Sequence, residues 1–137
     1  MVQFYLLAVV VNILGGLMLS SEILGERIPM VHSLRESLSF NSVTRIIIIL
    51  VMLFVALFKI LSVTEGDVPV VGDLLPALSL VAMAAVYFLE YYEDRSSVRT
   101  PAFEKLEAVF IKNRSIIGMV AVAAGVAHFL FPRVLFL

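Results

Sequence analysis

Four long apolar runs constrain this chain more than any other feature. They extend from about Phe4 to Ser21, Ile46 to Val63, Leu74 to Tyr92 and Ser115 to Phe131. A helix rises about 1.5 Å per residue, so some 20 residues cross a hydrocarbon core of roughly 30 Å. Each run approaches that length. The residues within them do not alternate apolar with polar, which argues against a β-barrel and for helical spans. With 61% hydrophobic residues and a mean hydropathy of +1.06, the expected class is an all-α integral membrane protein: a bundle of four transmembrane helices within residues 1–137. Pro76 suits the first turn of the third helix, where its missing N–H costs little. The N-terminus lacks the basic region of a secretory signal, so the first run is expected to be a retained helix.

Charge sets the expected orientation. The first connection holds Arg27, Arg35 and Arg45, and the third holds Arg95, Arg99, Lys105, Lys112 and Arg114. The second, TEGDVPVVGD, holds no Lys or Arg and carries Glu65, Asp67 and Asp73. Basic connections stay on the cytoplasmic side. The chain is therefore expected in the cell membrane as a multi-pass protein. Connections 1 and 3 would be cytoplasmic, and both termini and the acidic loop outside. Ser33 and Glu36 have the spacing of a capping box, and Thr100–Pro101 reads as a cap and first-turn pair. Each basic connection is thus expected to hold a short amphipathic helix on the inner leaflet.

The polar landmarks recur. At an offset of 68, Glu22 falls on Glu90, Glu26 on Asp94, Arg27 on Arg95 and Glu36 on Glu104. After one inserted residue, Arg45 falls on Arg114 and Lys59 on His128. Charges are scarce in such a chain, so these coincidences weigh more than apolar ones. They imply two tandem helical hairpins, residues 1–68 and 69–137. Each copy has two spans, so both enter the membrane in one direction and form a parallel repeat about the membrane normal.

Glu22 and Glu90 close the first and third spans, while Arg45 and Arg114 open the second and fourth. Each opposes its own helix dipole, and the pairs Glu22–Arg45 and Glu90–Arg114 would offset both penalties. Separate snorkelling is the alternative, and Glu26, Arg27, Asp94 and Arg95 are competing partners. Lys59 and His128 each follow their arginine by fourteen residues, roughly 21 Å along a helix. Ionisable groups at that depth tend to face the bundle or a cavity. A histidine there would suit a proton-linked step, although a snorkelling lysine and a structurally hydrogen-bonded histidine are the plainer readings.

The first span carries a stripe of Ala8, Asn12, Gly16 and Ser20, and the fourth carries Gly118, Ala121, Gly125 and His128. Small residues let helices approach closely where lipid supplies no hydrophobic drive. These two faces are therefore expected to pack, with Asn12 as interhelical glue rather than a ligand site. The second span, IIIILVMLF, is bulky all round and is expected to face lipid.

Without cysteine, disulfides and thiolate sites are excluded. His32 and His128 are expected on opposite sides of the membrane, so no shared metal site, cofactor or catalytic triad is expected, and nothing suggests nucleic acid. Residues 65–73 lack calcium-loop spacing and read as a solvated turn. The chain is expected to be non-enzymatic. It would act as a subunit or scaffold in a homo-oligomer or with another membrane subunit. The alternative is an oligomeric channel or ion-coupled transporter using Lys59, His128 and the Glu22/Glu90–Arg45/Arg114 layer.

Overall fold

The computed structural model describes residues 2–39, 41–61 and 74–131. Among them the chain is entirely helical, with α1 (Val2–Leu19), α2 (Ser21–Leu24), α3 (Pro29–Ser39), α4 (Ser42–Leu61), α5 (Leu74–Arg95), α6 (Pro101–Phe110) and α7 (Arg114–Leu130). Each of the four apolar runs has become a long helix, α1, α4, α5 and α7. By length and composition α4 and α5 can cross a membrane, and α6 with α7, bent by 52° at their junction, makes a third if counted as one span. α1 is as apolar as α4 but shorter. The acidic loop with Glu65, Asp67 and Asp73 lies outside the described residues.

α5 is the hub. It packs against α4, α7 and α1, and α6 folds back on its end. α1 packs against α7, α5 and α4. Between them lies a core in which Leu19, Met52, Val55, Leu80, Met83 and Val86 are at most 1% exposed. α4 is peripheral. It buries Ile49, Met52, Val55, Ala56 and Lys59 along one face, while Ile47, Leu50, Leu53, Phe54 and Leu57 stand exposed. An isolated chain in water would not leave so large an apolar face open.

α1 meets α7 backbone to backbone. A Cβ added at Gly16 would lie 2.5 Å from the carbonyl oxygen of Gly118, and one added at Gly118 would lie 2.6 Å from that of Gly16. Only hydrogen fits on either side. Ala8, Asn12, Ser20, Ala121, Gly125 and His128 are buried along the same two helices, so both stripes face inward.

The short helices differ in how they begin. Thr100 accepts a hydrogen bond from the Phe103 N–H at 3.2 Å, with Pro101 in the first turn. The expected cap at Ser33 is not there. α3 starts four residues earlier, at Pro29, and the Ser33 hydroxyl bonds back to the Pro29 carbonyl at 3.3 Å. Proline at a first helical position is itself a start signal, and it prevails over the serine.

Candidate functional site

The buried polar side chains lie at three levels along the bundle. The first is the end where α1 begins and α4 and α7 finish. Lys59 and His128 are 2% and 1% exposed, and both touch Tyr5. The Lys59 ammonium sits 5.4 Å from the Tyr5 ring centroid. The His128 imidazole lies 4.7 Å from the same ring, tilted by 50°. The Tyr5 hydroxyl donates to the His128 carbonyl at 2.6 Å, so one side chain of α1 joins the ends of α4 and α7. Phe4 stacks on Phe58 at 5.0 Å beside it. Sequence spacing put Lys59 and His128 at one depth, and Tyr5 was missed. Its signal was slight, a lone tyrosine near the start of a span, where such residues are common for interfacial reasons.

Asn12 makes the second level. Its amide donates to the carbonyls of Ala8 at 3.0 Å and Pro76 at 3.3 Å, and its side-chain oxygen accepts from Ser79 at 2.5 Å. Asn12 is wholly buried. The Pro76 carbonyl, near the start of α5, accepts from both Asn12 and Ser79. These bonds satisfy the amide and fasten α1 to α5. Leu80, at the equivalent place one offset along, is also wholly buried.

Below this lies an apolar layer. Met52 and Met83 close over Gly15, where an added Cβ would meet the Met52 methyl at 2.5 Å. The third level follows at the opposite end. Arg114 reaches Glu90 at 2.9 Å and Glu22 at 3.0 Å. Arg35 stands 3.8 Å from Glu90 and donates to Ser21 at 3.0 Å. Arg45 pairs with Asp94, and Arg95 donates to Ser42 at 2.7 Å. The expected Glu90–Arg114 pair is present. Glu22, however, pairs with Arg114, and Arg45 with Asp94. The reason is the arrangement of helices: α1 is packed chiefly on α7 and α4 on α5, so the charges meet across those interfaces. Arg35 was missed because it lies in a connection, where an arginine reads as solvated.

Glu90 and Arg114 are only 16% and 15% exposed. In such a place each charge is costly alone and tolerable only when paired and hydrogen-bonded. The Tyr87 hydroxyl, one turn back from Glu90, is buried with no hydrogen-bond partner among the described residues. At the α5–α6 junction Arg99 bridges Glu93 at 2.8 Å and Glu107 at 2.5 Å, fixing α6 to the end of α5.

A protein-family model of unknown function matches residues 1–128, and the chain belongs to that family. No curated protein and no solved structure matches.

Proposed function

We propose that this family member is a small non-enzymatic membrane protein of four spans, acting as a subunit or scaffold through helix packing in a membrane assembly. The observation that carries the reading is the filled layer between the polar ends. Met52 and Met83 close on Gly15, and α1 and α7 approach to backbone contact at Gly16 and Gly118. A bundle closed to that degree has its working surface on the outside, and α4 offers a bulky apolar one.

A doubled hairpin is in keeping with the packing. Under the repeat α1 corresponds to α5 and α4 to α7. The two main helix pairs, α1 with α7 and α4 with α5, then exchange under one two-fold rotation. Arg114–Glu22 and Arg45–Asp94 are likewise both ties between the copies. Four spans also agree with the alternation of the charged level at one end and the Tyr5 level at the other. The Lys and Arg bias supports the charged end as the cytoplasmic one, with α3 and α6 as surface helices there.

The second reading, an ion-coupled transporter or channel built from several copies, is favoured by one observation: Lys59 and His128 are buried against a single ring. The experiment is reconstitution of the purified chain in liposomes alongside affinity purification from its native membrane. The subunit reading expects no ion or proton flux and stoichiometric recovery with a membrane partner or a second copy. A pH- or ion-dependent flux lost in both Lys59→Ala and His128→Ala would overturn it.

A further inference from the structure

α6 carries an apolar face that no other described residue covers. The helix meets α7 at a bend of 52°, and one side of it fixes its attitude. There Thr100 caps the first turn, the Phe103 ring lies 5.0 Å from that of Tyr92, and Arg99 holds Glu107. Away from that contact Leu106 and Val109 stand 46% and 58% exposed. On α7, Ile116 and Val120 are 56% and 53% exposed. From Leu106 to Val120 these four residues are three, seven and four places apart, the spacing of one helical face carried across the bend. The outward side of α7 thus continues onto α6. Two cations border it. Lys105, Val109 and Lys112 follow one another at helical spacing, four and three residues apart, so both lysines flank the exposed valine. Each is exposed, with no ion pair or hydrogen bond among the described residues. The sequence offers them none along the helix: every residue three or four places from either lysine is Pro, Ala, Val, Ser or Ile, where an acid would have faced them.

We propose that this face of α6 docks on the anionic surface of a phospholipid bilayer, with Leu106 and Val109 among the upper acyl chains and Lys105 and Lys112 against lipid phosphates. The inference rests on the membrane reading above. A lysine lays its apolar stem along hydrocarbon while its ammonium stays among head groups. Apolar side chains bordered by lysines are the pattern of a helix lying in the interface. The cytoplasmic leaflet is negatively charged and attracts such lysines. The remaining acids suit this attitude, since Glu107 is neutralised by Arg99 and Glu104 lies in the first turn, at neither apolar position nor beside Lys112. Only residues 111–113 separate α6 from α7, so a span at α7 sets α6 beside the bilayer surface and brings lipid to this face before any soluble partner.

The chain contains no tryptophan, so a single one reports its own surroundings. The test places Val109→Trp and, in a second full-length chain, Val120→Trp in phosphatidylcholine vesicles. Each vesicle holds the same minor fraction of either brominated phosphatidylcholine or brominated phosphatidylglycerol, whose bromines quench indole emission on contact. At low salt the Val109→Trp emission should be quenched at least about twofold more by the anionic lipid than by the zwitterionic one. Adding Lys105→Gln and Lys112→Gln to that chain should remove the excess and leave the quenching by brominated phosphatidylcholine. The Val120→Trp emission should be quenched in both vesicles, with and without the lysine changes, which shows that the chain is inserted. No quenching of Val109→Trp, equal quenching by the two lipids, or an excess that survives the double lysine change would each overturn the proposal. If Val120→Trp is still quenched, those results leave the membrane reading standing. An unquenched Val120→Trp would refute the membrane reading, and this proposal with it.

Discussion

Individual side chains divide by whether helix spacing or tertiary contact decides their role. Gly16 and Gly118 were legible from spacing alone, because small residues every three or four positions in an apolar helix have little use except close approach. Replacing Gly16 with Val would drive a Cβ to within 2.5 Å of the Gly118 carbonyl oxygen, a backbone atom that cannot rotate away. We expect a loss of about 2 kcal/mol or more, read as a lowered thermal midpoint, with Ala123→Val, an exposed change on the same helix, as the neutral control. Asn12 was legible as glue, but its partners Pro76 and Ser79 were not, since register between distant helices leaves no trace in one sequence. At the charged end Glu90 serves both Arg114 and Arg35, whereas Glu22 is largely exposed. Glu90→Gln should therefore destabilise by about 2–3 kcal/mol and Glu22→Gln by less than about 1 kcal/mol. Equal effects of the two changes on the thermal midpoint would show that the Glu90 network does not carry this end of the bundle.

At the level of helices, hydropathy located α1, α4, α5 and α7 to within a few residues, because an apolar run bounded by charges has few other ways to satisfy its backbone. The connections were harder. α6 was visible from Thr100 and Pro101, a cap whose bond to Phe103 is local in sequence. Thr100→Ala should cost about 1 kcal/mol and loosen the first turn of α6, seen as faster amide exchange at Phe103 and Glu104 with α5 unchanged. α3 was misjudged at its start because two legitimate signals competed, Ser33 with Glu36 against Pro29. The pairing of charges was half legible for a related reason. Heights along the helices could be counted, so Glu90–Arg114 was found. The neighbour of each helix could not be, so Arg45 was assigned Glu22 when its partner is Asp94.

For the molecule as a whole, the proposed four spans would set the Glu22/Glu90/Arg114 level at the cytoplasmic face and the Tyr5/Lys59/His128 level near the outer one. The all-helical class and the places of the four long helices were readable from the apolar runs, of which two or three are long and apolar enough to cross a membrane. The order of helices around the bundle was not, since it depends on which small-residue faces meet. The proposed function is tied to surfaces rather than to a convergent set of reactive groups. Because the chain has no cysteine, single cysteines report topology without background. The most direct measurement labels Glu26→Cys, Asp67→Cys and Lys105→Cys in intact cells with a membrane-impermeant maleimide. The account predicts labelling at position 67 and protection at 26 and 105 until the membrane is permeabilised. Labelling of 67 and 26 from the same side would contradict it.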